Sequence, residues 1–297
     1  MQKLHNTKAL TLDSVAIEPR YSTVLKSDKI DLEINERPPI WASSDPATGT
    51  MEIAKILSAS KLGTLLHTNY DIDSLYDFFF EERPYVALSI GDTEGQLLKW
   101  NKLKSKLPAG NIKYVNLETN NAHSIEYLYK VAKFKEENEN VRIIAGPVSD
   151  ETATRKLFEV GAEIARIGFD ARFDNENFME TGVGSPHASV LLSNGEIARE
   201  HNGYIMASGF YPDAADIAKC IACGASSVEI SNMFFGHDEC AGRLHTDKGT
   251  MTKNGVVYRG KIINTVYSIL HILEKSCRQA GFKSLTKFRD SAKLVII

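Results

Sequence analysis

The chain alternates short, nearly uninterrupted apolar runs with longer stretches in which apolar residues fall three and four apart. The first pattern suits strands buried on both faces, and the second suits helices that bury a single stripe. Eight strand-helix units follow, with strands over residues 39–43, 63–67, 85–90, 113–117, 141–145, 163–168, 204–208 and 227–231. The clearest helical periods cover residues 50–59, 96–107, 124–136 and 151–160. Gly161, Gly203 and Gly224 each precede a strand, where a helix favours a left-handed terminator.

Repeated strand-helix units point to a parallel sheet, and eight of them in roughly 250 residues is the size of a closed (β/α)8 barrel. No glycine fingerprint of an open dinucleotide-binding sheet follows the first strand. The expected architecture is α/β, a single-domain (β/α)8 TIM barrel over residues 37–297, with residues 1–36 as an N-terminal arm or hairpin capping its floor. Two connections are long, residues 169–186 after the sixth strand and 232–260 after the eighth. Loops after the strands build the active site of such barrels, so these two are where chemistry is expected.

Composition narrows the picture. Thirty-five basic residues against 38 acidic ones give a net charge of −3, without a Lys/Arg block of the kind that binds nucleic acid. Neither a signal-peptide apolar core nor an apolar stretch of membrane-spanning length is present. A cytoplasmic protein without membrane or nucleic-acid partners is expected. The four cysteines, Cys220, Cys223, Cys240 and Cys277, read as free thiols. Cys220 and Cys223 form a C-x-x-C without a second pair, better read as small core residues than as a zinc or redox site.

The strand ends collect Ser43, Ser44, Asp45, His67, Asp92, Glu118, Asn120, Asn121, Asp170, Ser208, Ser231, Asn232, His237 and Glu239. The set is polar and poor in metal-ligand groupings, and no metal is expected. Thr181-Gly-Val-Gly-Ser-Pro-His187 carries glycines that let backbone amides approach a ligand, with Pro186 placed to start a helix. Gly209-Phe-Tyr-Pro-Asp213 and Ser231-Asn232 lie after strands seven and eight, where barrels commonly hold phosphate on the amides of helix starts.

Several of these segments carry a family resemblance. Pro39-Ile-Trp-Ala-Ser-Ser-Asp-Pro-Ala-Thr-Gly-Thr-Met-Glu-Ile-Ala54, His67-Thr-Asn-Tyr70, Leu117-Glu-Thr-Asn-Asn-Ala-His-Ser124 and Ala145-Gly-Pro-Val148 resemble, in order and spacing, strand-end motifs of the IMP dehydrogenase/GMP reductase family, and within it the GMP reductases. Thr181 to His187, Gly236-His-Asp-Glu-Cys-Ala-Gly242 and Tyr258-Arg-Gly260 continue the likeness, which spans residues 11–297.

The resemblance implies hydride transfer between NADPH and C2 of a purine 5'-monophosphate, GMP or IMP, by a homotetramer. It implies that Glu239 holds the purine edge and that Tyr258 with Ser208, Gly209, Ser231 and Asn232 binds ribose and phosphate. It further implies that Glu118 and Asn121 lie by the nicotinamide, and that Asp45 with Gly182 and Gly184 shapes the pocket and its loop.

The sequence departs from the family where the covalent step is made. The family's Gly-Pro-Gly-Ser-x-Cys-Thr-Thr-Arg supplies a thiolate that attacks purine C2, whereas here the loop reads Gly168-Phe-Asp-Ala-Arg-Phe-Asp-Asn-Glu-Asn-Phe-Met-Glu180, without cysteine. Thr68 replaces the family lysine, Ser208 the ribose-binding aspartate, and Ser231-Asn232 the phosphate-loop Gly-Gly. No catalytic residue is assigned from sequence; Glu239, Cys240 and Thr181 are the candidates. Two functions stay open: a GMP reductase-like oxidoreductase of altered chemistry, and a catalytically silent purine-nucleotide-binding protein or partner subunit of an active homologue.

Overall fold

A computed structural model describes residues 9–91, 93–171, 176–241 and 258–297, with the backbone alone for residues 176 and 177. Eight parallel strands close a barrel in sequence order: β2 (Ile40–Ala42), β3 (Gly63–Leu66), β4 (Val86–Ile90), β5 (Tyr114–Leu117), β6 (Arg142–Val148), β7 (Ile164–Ile167), β8 (Tyr204–Ser208) and β9 (Ser227–Ile230), with β9 returning to β2. The alternating pattern therefore produces the closed (β/α)8 barrel it predicts, and each strand lies within two residues of its expected start.

Helices α1 (Met51–Ala59), α2 (Ile72–Phe79), α3 (Glu94–Lys106), α4 (Ile125–Glu137), α5 (Glu151–Glu159), α7 (His187–Glu200), α8 (Ala214–Ala222) and α9 (Ile262–Ala280) surround the barrel. A short α6 (Glu176–Thr181) sits within the loop after β7, and α10 (Leu285–Ser291) follows α9. Local chemistry explains several starts. Thr50, Asp71, Thr93, Ser124, Asp150, Asp213 and Ser284 each accept a hydrogen bond from an otherwise orphaned amide of the helix they precede. Pro186 stands at the N-cap of α7, as its position in the sequence suggests.

Gly161 and Gly224 adopt positive φ after their helices, but Gly203 does not; Asn202 takes the left-handed turn instead. Gly203 is needed for space, since a Cβ there would lie 2.4 Å from the Phe158 ring.

Residues 9–36 do not pair internally as one hairpin. Strand β1 (Val15–Ile17) runs antiparallel to β10 (Leu294–Ile296), joining the two ends of the described chain. The arm starts against α7, where Leu10 and Ser189 exchange two hydrogen bonds, and passes α8, where Lys219 donates to the Leu12 carbonyl. It reaches the floor at a tight turn closed by Ile34 and Arg37. No helix among the described residues is long and apolar enough to cross a membrane.

Strand period two sorts the barrel residues into two cores. Outward residues such as Ile40, Val115, Ile143, Ala165, Ile205 and Val228 join the large core under the helices. The interior contains a separate apolar layer of Trp41, Leu65, Ala87, Tyr114, Ile144, Ile164 and Met206. Gly63 opens room for Trp41, whose ring would lie 2.1 Å from any Cβ at that position. This layer plugs the lower barrel and forces any ligand to the upper end, where the long loops are.

Candidate active site

Two residues further along the same inward register, the interior turns polar. Ser89, Asn116, Arg166 and Glu229 are all buried. Arg166 is the hub: Nε and Nη2 donate to the two Glu229 carboxylate oxygens at 2.9 and 3.1 Å, while Nη1 donates to Asn116 Oδ1 at 3.3 Å. A buried guanidinium requires such pairing, because an uncompensated charge in the interior is expensive. Proximity to Glu229 and Glu118 holds Arg166 above the usual arginine range against the opposing effect of burial. Gly146 makes the backbone approach possible, since a Cβ there would lie 2.6 Å from the Arg166 carbonyl and its φ of +130° suits glycine alone.

Above this layer stands Glu118, just past the end of β5. Its Oε1 accepts from Asn116 Nδ2 at 3.0 Å and from the Ser44 hydroxyl, and lies 3.8 Å from Arg166 Nη1. Strands β2, β5 and β7 thus converge on a carboxylate that is 30% exposed at the mouth. From Glu118 a cavity of about 190 Å³ extends between α3 and α4, lined by Leu97, Trp100, Tyr127 and Phe134 with Lys130 and Lys133 at its rim. Asn121, which the family resemblance sets by the nicotinamide with Glu118, uses its side-chain oxygen to accept from the His123 amide at 3.1 Å in the same loop.

Loops after β2 and β3 form one rim. Asp45 shapes its own turn: its Oδ1 accepts from the Ala47 amide at 2.7 Å, and its carbonyl accepts from Thr48 and Gly49. His67 stacks on Tyr70 at 4.5 Å, and its Nδ1 accepts from the Asn69 amide, which leaves the proton of the neutral ring on Nε2. Burial first, and Lys99 second, push the His67 pKa down.

Across the mouth, Phe169 and Ala171 pair with Ser185, which brings the two ends of the connection after β7 together. Gly182 takes a φ of +70°, its amide donates to the Phe178 carbonyl, and the Val183 amide donates to the Thr181 hydroxyl. Gly184 is a packing glycine, because a Cβ would meet Phe178 and Ala171. The missing family cysteine would fall in this connection, part of which, residues 172–175, lies outside the described residues, as does Asp92.

Ser208 ends β8 at the parity of the interior residue Met206, and Ser231 directly follows β9. Asn232 ties the two loops together, with Nδ2 donating to the Tyr211 carbonyl at 2.6 Å and Oδ1 accepting from the Tyr211 amide at 3.4 Å. The start of α8, offered to phosphate by the sequence reading, is already capped: the Asp213 carboxylate accepts from the amides of Ala215 and Asp216. A Cβ at Gly209 would lie 3.3 Å from the Tyr211 hydroxyl.

The segment from Gly236 is held by Tyr258 to Gly260. Asp238 and Arg259 amides donate to the Gly260 and Gly236 carbonyls, and the Tyr258 hydroxyl donates to Asp238 at 3.2 Å. Glu239 Oε2 accepts from the Ile262 amide at 2.9 Å, capping α9. Cys240 Sγ donates to the Phe234 carbonyl at 2.8 Å, and burial raises its pKa, so it rests as a thiol. Cys220, Cys223 and Cys277 are buried, and burial pushes Cys223 and Cys277 up to about 12.

Arg166, Glu229, Asn116 and Ser89 were not among the residues singled out from the sequence. The available signal was a lone charged residue inside each of the apolar runs Ile164-Ala-Arg-Ile167 and Ser227-Val-Glu-Ile230, Arg166 two residues from Ile164 and Glu229 two from Ser227.

Residues 80–257 match the model of the IMP dehydrogenase/GMP reductase domain. Over 99% of its length the chain is similar to GMP reductases: 25% identical to that of Onchocerca volvulus, covering 93% of that protein; 26% to that of Caenorhabditis elegans, covering 94%; and 26% to GMP reductase 1 of Homo sapiens, covering 97%.

Proposed function

Because the chain belongs to the IMP dehydrogenase/GMP reductase family, we propose that this purine-nucleotide oxidoreductase is GMP reductase-like, binding GMP or IMP at the barrel mouth beside NADPH. Near-complete mutual coverage with GMP reductases carries the reading, since every loop of the mouth falls within it. The residues fit a nicotinamide cofactor: Glu118 offers a fixed acceptor, and the adjoining cavity, walled by Trp100 and Phe134, suits flat rings. When bound, the cofactor supplies hydride for purine C2. Glu239, Tyr258, Ser208, Gly209, Ser231 and Asn232 surround the nucleotide, with Asp45, Gly182 and Gly184 on the rim.

The covalent route of the family lacks its thiol here. No cysteine falls between Gly168 and Pro186, and Cys240 is held protonated on a backbone carbonyl. Without that thiol, hydride supplied by a bound cofactor would have to reach C2 of GMP directly, and a proton would be needed at the 2-amino group for ammonia to leave and IMP to form. Asp213 at the start of α8 disfavours an anion there, so phosphate is assigned to the backbone around Gly209 and Ser231 instead. The setting is a cytoplasmic homotetramer.

The absent cysteine favours a second reading, a nucleotide-binding subunit without turnover. Mixing the protein with GMP and NADPH while following cofactor absorbance, alongside calorimetric titration with GMP and IMP, separates the two. Turnover supports the reductase; binding without turnover supports the silent subunit; failure to bind either nucleotide overturns both. Glu239→Ala should weaken nucleotide binding about tenfold if Glu239 contacts the base, the loss of one charge-assisted hydrogen bond. Unchanged affinity would confine Glu239 to capping α9.

A further inference from the structure

The barrel floor, at the opposite end from the mouth, carries a pocket of its own. A cavity of about 220 Å³ opens between α7, α10 and the starts of β8 and β9, with Arg199, Ser226 and Arg289 in its wall. Its donors are not used up by the fold. Arg289, 11% exposed in its side chain, donates from Nε to Asp290 at 2.8 Å and from Nη1 to the Ser226 hydroxyl at 3.1 Å, while Nη2 meets no hydrogen-bond partner among the described residues. Ser226 is 5% exposed, and its hydroxyl, already accepting from Arg289, finds no acceptor for its own proton among those residues. The exposed Arg199 side chain makes no ion pair or hydrogen bond with them either. Asn35 and Asn202 stand at the rim in left-handed turns, with φ of 51° and 54°.

We propose that this pocket binds a phosphate group, free or carried by a small phosphorylated molecule, at a site separate from the nucleotide pocket of the mouth. Two guanidiniums line the cavity and no acidic side chain among the described residues does, so its charge selects an anion. Asp290 lies outside the lining and occupies one edge of Arg289 only. The open donors come from three elements: Arg289 from α10, Ser226 from the turn before β9, and Arg199 from α7. A planar carboxylate is satisfied by one guanidinium fork, whereas a phosphate has oxygens for all three. The carbonyl ends of α7 and α8 reach the same side of the barrel and would repel an anion if open. They are closed, because the Gly203 amide donates to the Ala198 carbonyl, and those of Gly224 and Ala225 donate to the Ile221 and Cys220 carbonyls.

The test is calorimetric titration of the full-length protein with inorganic phosphate and, separately, with glycerol 3-phosphate, in chloride at physiological ionic strength so that diffuse attraction is screened. Arg199→Ala removes an exposed side chain without a partner. It should leave the thermal unfolding midpoint unchanged and weaken phosphate about tenfold, the loss of one charge-assisted hydrogen bond. Arg289→Lys keeps the charge but cannot hold Asp290 and Ser226 while also reaching the ligand, and should weaken phosphate at least as much. Tighter binding of glycerol 3-phosphate than of phosphate, lost in the same variants, assigns the pocket to a phosphorylated molecule; equal or weaker binding assigns it to the free ion. Wild-type protein that shows no saturable binding of either probe overturns the proposal. So does an affinity unchanged in Arg199→Ala and in folded Arg289→Lys, which places the anion elsewhere. Should Arg289→Lys fail to fold, Arg199→Ala decides.

Discussion

The barrel interior contains two layers built from the same strands and only two residues apart along them. The lower one, with Trp41, Tyr114, Ile164 and Met206, is apolar; the upper one, with Ser89, Asn116, Arg166 and Glu229, is polar and hydrogen-bonded throughout. Two residues of strand amount to roughly 7 Å. Within that distance the interior changes from a packing element, tolerant of any hydrophobe of the right volume, to a charged one in which each partner requires the others. The lower layer closes the barrel, and the upper layer aims groups at the mouth.

The largest separation of the two layers should come from Arg166→Met alone. It strands Glu229 in the interior and should cost about 3–5 kcal/mol in denaturant unfolding, whereas the paired Arg166→Met/Glu229→Met variant should recover most of that loss. Equal stability of the single and paired variants would show that the upper layer behaves as the lower one does.

In the lower layer, Gly63→Ala drives a methyl into the Trp41 ring. It should cost about 1–3 kcal/mol through overpacking, with GMP and NADPH affinities unchanged. A change in affinity without loss of stability would mean the layers are coupled more tightly than their chemistry implies.

A smaller effect is expected at the rim. Glu239→Ala removes the side-chain cap of α9 and should lower stability by about 1 kcal/mol in thermal unfolding.

The smallest is a pH dependence. Burial lowers the pKa of His237 from its ordinary 6.5. Above that value both folded and unfolded chains hold the ring neutral, and His237 contributes nothing. Below it the unfolded chain takes up a proton that the folded one does not, so stability declines as pH falls from about 6.5 toward the lowered value. His237→Gln should flatten part of that decline in unfolding curves recorded across this window. An unchanged slope would assign the decline to other groups, His67 among them.

Much of the scaffold was legible because local pattern and global fold agree. Continuous apolar runs such as Val86-Ala-Leu-Ser-Ile90, repeated between helical periods, suit strands covered on both faces, and a Thr, Ser or Asp stands before seven of the described helices. The mouth was legible in outline, since Glu118, Asp45 and Glu239 stand at strand ends. Their partners were not. Nothing in Ile164-Ala-Arg-Ile167 says that Arg166 points inward until Ile164 is seen to belong to the interior layer, and nothing in Gly236 to Cys240 says that the Glu239 carboxylate reaches the start of a helix 23 residues away. Gly203 misled for the same reason: a glycine before a strand reads as a turn, yet the space beside Phe158 is what requires it.

By itself the sequence determined the order of elements, the closed barrel, the family and the loss of a cysteine at the place where the family needs one, because these depend on residue identity and on periodicity along a single chain. Tertiary structure alone decided which charges meet. Arg166 finds Glu229 across 63 residues, Glu118 gathers donors from three strands, and Asp213 closes a helix start that looked open to phosphate. The physical reason is that a side chain's period along its strand says which others share its face, but the stagger and closure of the barrel set which of those stand within hydrogen-bond reach.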